Sequence, residues 1–213
     1  MKINVGCGLT PTEGWVNFDN SLSVRVAQCP GAAQVLRRLR FLQRPSYQLA
    51  VIARTRRVRF ANAVGRIPCP DASAEAVYSS HMIEHLDRRE AQAFLAEVRR
   101  VLVPRGVLRV AVPDLARLVQ GYVTDGNANE FILATHMAQP RAVGLLPRLS
   151  LALTGPRHHL WMYDARSLSS LLSSAGFEDV WVMPAGTTNI IDPGQLDLEE
   201  RAAESVYVEG RRC

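Results

Sequence analysis

Lys2-Ile3-Asn4-Val5-Gly6-Cys7-Gly8 and, shortly after, Trp15-Val16-Asn17-Phe18-Asp19 decide the fold. The first run reads as a short strand that stops at two glycines. The second reads as a strand that ends on an acid. Only six residues separate Gly8 from Trp15, too few for a crossover helix, so a loop or a single turn is expected. Glycines directly after a first strand let a ligand approach the backbone closely. A nicotinamide dinucleotide calls for G-x-G-x-x-G, but Pro11 stands in the third place. The partner acid should follow at about 20 residues, whereas Asp19 comes eleven after Gly8. Without a helix N-terminus the pyrophosphate site is missing. The loop therefore suits a small ligand with no diphosphate, and Asp19 can accept from two ribose hydroxyls.

Outward from this start, strand and helix signals alternate. Gly31 to Gln43 has helical apolar spacing at Val35, Leu36, Leu39 and Leu42. Arg57–Ala61 alternates like a strand, and Pro68, Pro70 and Asp71 mark a turn. Ala76–Ser79 reads as a buried strand. A helix is expected from Asp87 to Leu102, stopped by Pro104 and Gly106, followed by a strand over Val107–Val112. Asp114 should cap a helix through Val123, and Asp164 another through Ala175, with Gly176 at its C′ position. One or two helices are expected between Asn127 and Gly155. Val180–Met183 and Ser205–Val208 close the chain as strands. This order implies a mostly parallel sheet with helices on both faces. Ligands bind such sheets at the carboxyl ends of the strands. That rule singles out Gly6–Gly8, Asp19, Asn62, Ser80–His85 and Asp114.

Composition excludes other classes. The chain has 213 residues, 47% hydrophobic and 21% charged, values of a globular protein rather than a disordered one. Its longest apolar stretch, Val143–Leu153, is interrupted by Pro147 and Arg148 and too short to span a bilayer. The start lacks the pattern of a secretory signal, and Cys7, Cys29, Cys69 and Cys213 share no C-x-x-C spacing, so a cytoplasmic protein with reduced thiols is expected. The net charge of +5 hides an asymmetry: no acid lies between Asp19 and Asp71, where ten arginines fall, and the rest is net acidic. The basic stretch suits an anionic substrate, nucleic acid or a membrane surface, or is a solvated cover.

The chain resembles the class I S-adenosylmethionine-dependent methyltransferases, and within them small bacterial members associated with glycans or natural products. The matching segments are Ile3–Gly8, Gly14–Asp19, Ile67–Asp71, Val77–Leu86 and Glu97–Leu108, then His159–Asp164, Leu168 and Ala175–Phe177. The resemblance implies a Rossmann-like, doubly wound, seven-stranded sheet with an antiparallel last strand. It implies one methyltransferase domain over 1–213, with a cover segment at 21–56 and a helical insertion at 124–156. S-adenosylmethionine is the implied cofactor. Gly6, Cys7 and Gly8 would line its methionine part, Asp19 with neighbouring Asn20 its ribose, Asn62 and Ala63 its adenine, and Ser80 and His81 its methionine end. Asn4 and Asn62 stand where relatives often carry acids, and Arg105 where glycine is common.

His81-Met82-Ile83-Glu84-His85 also spells H-x-x-E-H, a zinc signature that needs both histidines on one helix face. His81 is expected at a strand end instead, so no metal is expected there. An alcohol acceptor needs a base near neutral pH, which suits histidine. His85 is the first candidate base, with His81, His158, His159 and Asp114 weaker. The expected acceptor is a hydroxyl on a small molecule or glycan. Two rivals stand beside this: a non-catalytic cofactor-binding module that docks through Val143–Leu153, and a nucleic-acid methyltransferase. The second is disfavoured by the scarcity of aromatics in the basic stretch, where only Phe41, Tyr47 and Phe60 occur.

Overall fold

The computed structural model describes residues 1–29, 31–38, 44–138 and 158–213. Seven strands form one sheet: β1 (Lys2–Val5), β2 (Val16–Asp19), β3 (Arg59–Phe60), β4 (Ala74–Ser80), β5 (Leu102–Pro113), β6 (Phe177–Met183) and β7 (Ser205–Arg212). Their order across the sheet is β3-β2-β1-β4-β5-β7-β6. β7 runs antiparallel to both neighbours, and the other pairings are parallel. This is the expected doubly wound Rossmann-like sheet with an antiparallel last strand. No helix lies between β1 and β2. Two buried amides hold that loop instead. Asn17 accepts from Thr12 N and donates to the Thr12 and Trp15 carbonyls, while Asn4 donates to Thr12 Oγ1. Side chains thus satisfy backbone groups that a helix would have paired internally.

The helices are α1 (Leu22–Ala27), α2 (Ala32–Arg38), α3 (Arg44–Thr55), α4 (Arg88–Val101), α5 (Leu115–Asp125), α6 (Ala128–Ala134) and α7 (Ala165–Ser174). The expected caps at Asp114 and Asp164 are present, and Asp87 caps a third helix. Asp87 makes a capping box with Glu90, Asp164 one with Ser167, and Asp114 accepts from Ala116 N. α4 buries Ala91, Phe94, Leu95, Val98 and Val101 on one face of the sheet, and α7 adds Leu168, Leu171 and Leu172 to the same core.

Several expectations change. The basic stretch holds α1 and α3, which apolar spacing did not reveal: they are short or mixed, and they bury mainly small residues against Cys7 and Val58. The helix expected over Gly31–Gln43 is described only as α2, because residues 39–43 lie outside the described residues. The strand expected over Arg57–Ala61 narrows to Arg59–Phe60, since Arg57 is left-handed at φ 54°. β5 begins at Leu102, not Val107, because Leu102 already pairs with Ala74 across a register shift. Of the helices expected over 127–155, α6 is described, while Val143–Leu153 lies outside the described residues. No described helix is long and apolar enough to cross a membrane.

The opposite sheet face carries Ala76, Tyr78, Val107, Ala111 and Tyr207, packed with Trp15, Ile190 and Leu196. The β6–β7 connection therefore covers part of this face, and a buried ion pair anchors it. Arg109 Nη1 lies 2.8 Å from Glu209 Oε1, both side chains fully buried. Arg109 donates to the carbonyls of Thr187 and Leu198, and Glu209 accepts from Thr188 Oγ1 and Asn189 N. Arg109 also sits 4.7 Å over the Tyr207 ring.

A second anchor ties the 67–71 turn to α4. Glu97 accepts from Ile67 N at 2.7 Å and from Arg100, which also donates to the carbonyls of Ile67 and Cys69.

Removing one partner of a buried pair strands the other charge. Arg109→Ala should therefore lower unfolding free energy by about 3–5 kcal/mol in urea titration, and Arg109→Met with Glu209→Leu should recover much of it. Hydrogen bonds from Arg100 hold the Glu97 carboxyl below its ordinary value of 4.5. Its contribution is then present above that pH and lost as pH falls through the lower folded value. Thermal melts of Glu97→Gln should lie below wild type at pH 7 and converge on it in acid.

Candidate functional site

The strand ends gather around β1, β2 and β4. Gly6 follows β1 at φ 72°, and a Cβ there would come within 2.6 Å of Met82 Cγ. Glycine is needed on both counts. Gly8 is left-handed at φ 49°, and a Cβ there would meet nothing within 4 Å, so the loop is open above it. Asp19 ends β2 largely buried, and its carboxylate bridges the loop: Gly8 N donates at 3.1 Å and Ser21 N at 2.8 Å. Burial raises its pKa, and those two backbone donors oppose the rise. Each oxygen has one such partner, which leaves capacity for hydroxyl donors.

Asn20 is exposed beside it. Just past β3, Ala63 is buried and Asn62 exposed, its side chain accepting from Val64 N. Cys7 contributes backbone only, because its thiol is buried against Val24, Ala53 and Val58. Burial pushes that thiol's pKa up, so it is no nucleophile. Asp114 serves α5: one carboxylate oxygen caps Ala116 N and the other lies 3.6 Å from Arg117.

Beyond Ser80 the chain turns sharply. His81 is left-handed at φ 47°, and only a single 3₁₀ turn, Ile83–His85, follows. The helix that H-x-x-E-H requires is thus not formed. Both ring nitrogens of His81 are engaged. Arg201 donates to Nδ1 at 3.2 Å, which leaves Nε2–H to donate to Ser205 Oγ at 2.9 Å. Burial and Arg201 lower its pKa to about 3.

All five histidines of the chain meet here. His85 Nδ1 is 3.0 Å from the His158 carbonyl, so it carries the proton and donates. The His85 and His159 rings stand 5.0 Å apart, and those of His159 and His136 5.3 Å. Burial lowers the pKa of His85, and that of His159 to about 4. In their midst Glu84 is fully buried, and among the described residues neither of its carboxylate oxygens has a hydrogen-bond partner. Burial raises its pKa to about 8. The Glu84 carbonyl accepts from Leu160 N and Trp161 N, which seats the 158–161 segment on the turn.

Sequence reasoning named Gly6, Gly8, Asp19, Asn62, Ser80, His81 and His85, and the structure brings these to one edge of the sheet. It missed Arg201, Ser205 and His136, whose closeness nothing in their local sequence signals. Glu84 was read as orienting a neighbour or facing solvent, and its full burial excludes the second.

A methyltransferase domain model matches residues 4–110. The possible histamine N-methyltransferase of Thermotoga maritima is similar in structure, with a TM-score of 0.50 at 17% identity over 100% of this chain and 81% of that one. A SAM-dependent methyltransferase of Methanosarcina mazei also has a TM-score of 0.50, at 13% identity, covering 99% of this chain and 91% of its own. No curated protein matches the chain. The open glycine loop and the Asp19 carboxylate fit the cofactor these comparisons imply. The chain belongs to the methyltransferase-domain family and is a methyltransferase that uses S-adenosylmethionine.

Proposed function

We propose that the chain methylates a hydroxyl of a small molecule or glycan, as the small bacterial members it resembles are thought to do. The supporting observation is the gathering of neutral imidazoles at the carboxyl end of β4. An alcohol must lose a proton as the carbon–oxygen bond forms, and a buried neutral imidazole accepts one.

In this reading Gly6, the Cys7 backbone and Gly8 hold the methionine part of the cofactor. Asp19 and Asn20 hold the ribose, Asn62 and Ala63 the adenine, and Ser80 with the His81 backbone the methionine end. Bound there, the cofactor supplies an electrophilic methyl group on a sulfonium. His85 takes the acceptor's proton: the His158 carbonyl fixes its Nδ1–H, and Nε2 keeps its lone pair. Asp114 acts only by capping α5.

Exposed Arg38, Arg44, Arg54 and Arg56 beside exposed Leu22, Val35 and Val51 give the 21–56 cover the character of a peripheral membrane contact. Arg25 stacks at 3.9 Å on Phe60 and Arg37 at 4.4 Å on Tyr47. Those rings are occupied, which argues against base stacking and nucleic acid.

Calorimetry should detect S-adenosylhomocysteine and not NADH. Asp19→Ala should weaken that binding by about 1.5–3 kcal/mol through lost charge-assisted hydrogen bonds, and an unchanged affinity would remove Asp19 from the site. With a hydroxyl acceptor found by screening for methylated product, His85→Ala should cut turnover by about 10²–10⁴-fold while S-adenosylhomocysteine affinity holds. Full turnover in that variant would make His85 structural.

A further inference from the structure

We infer that Glu84, His85 and His159 form a binding site for a divalent cation of the zinc type. One donor atom from each lies within 4.8 Å of the other two. Tetrahedral ligands at 2.0–2.1 Å from a zinc ion stand about 3.4 Å apart. Side-chain rotation that draws the donors together by up to about 1.4 Å would close the site.

Three features favour a cation over a packed polar cluster. Glu84 is fully buried and neither oxygen accepts a hydrogen bond among the described residues, while His81 Nδ1 stands 3.4 Å and His159 Nε2 3.9 Å from its Oε1. An unsatisfied buried carboxyl is costly, and a cation would satisfy it. His85 donates Nδ1–H to a backbone carbonyl, the outer contact that orients metal-ligating histidines and leaves Nε2 free. His159 Nε2 lies 3.9 Å from Glu84 Oε1 and its ring stands 5.0 Å from that of His85.

The donor set selects the ion. Two imidazoles and one carboxylate suit zinc, cobalt or nickel and not magnesium or calcium, which demand oxygen. His81 takes no part, because Arg201 and Ser205 occupy its nitrogens. The site therefore differs from the H-x-x-E-H pair, the only metal site that the sequence analysis weighed.

Three protein ligands leave a fourth position open. For its use the inference rests on the hydroxyl-acceptor reading. An alcohol bound there would give up its O–H proton to water while the oxygen stays on the cation. In the loaded protein the lone pair of His85 is spent on the cation, and the cation replaces His85 as the activating group.

The test is cobalt titration of chelator-dialysed full chain, followed by visible absorption, with elemental analysis after zinc reconstitution. One ion per chain and a cobalt d–d band are expected. Glu84→Gln and His159→Asn should each weaken cobalt binding at least tenfold, with S-adenosylhomocysteine affinity retained as the check on folding. Should either variant lose that affinity, His85→Asn decides by the same criterion. No saturable cobalt binding by wild type, or wild-type affinity in the correctly folded variants, overturns the site. Failure of cation-free protein to bind S-adenosylhomocysteine would instead count against the functional reading and leave the metal result standing.

Discussion

The buried pair of Arg109 and Glu209 joins neighbouring strands β5 and β7 and is the contact on which the position of the ligand edge depends. Neither charge reaches solvent, so each needs every partner it has. Those partners are main-chain and hydroxyl groups of Thr187, Thr188, Asn189 and Leu198. The pair thereby fixes a long connection with no regular structure of its own. That connection shields apolar side chains on a sheet face where no helix intervenes between β1 and β2. It then delivers Glu200 to Thr10 and Tyr78, and Arg201 to His81. A pair in the core thus sets the position of groups at the ligand edge.

At that edge the imidazoles are kept neutral. Burial does this for His81, His85 and His159, and Arg201 reinforces it at His81. The same burial lifts Glu84, so the cluster is held uncharged in the absence of a cation. A ligand that brings positive charge would reverse the balance, ionising Glu84 and gaining from it.

Legibility in the sequence followed the range of the interactions involved. The capped helices were readable because Asp87, Asp114 and Asp164 act within a turn of their own position. The seven strands and the antiparallel last one were reached through resemblance rather than pattern, and their order across the sheet came only from the structure. β3 was over-read because alternation continues through Arg57, whose left-handed backbone is imposed by the turn out of α3. α1 and α3 were missed because they bury alanines, serine and valine rather than a long apolar stripe. Asn4 was noted only as a departure from an acid, yet it supports the short β1–β2 loop together with Asn17.

The sequence by itself determined the alternation of strands and helices, the absence of a first crossover helix, the glycine loop and the acid at the end of β2. Each depends on spacing, chain reach or local backbone freedom, which a linear pattern records. Only the tertiary structure decided that Glu84 is buried with no hydrogen bond to its carboxylate among the described residues, that His81 is held at both nitrogens, and that His136, His158 and His159 close around His85. Those outcomes depend on segments far apart in the chain meeting in a dry pocket. Desolvation there is a property of the assembled neighbours, and no single stretch of sequence carries it.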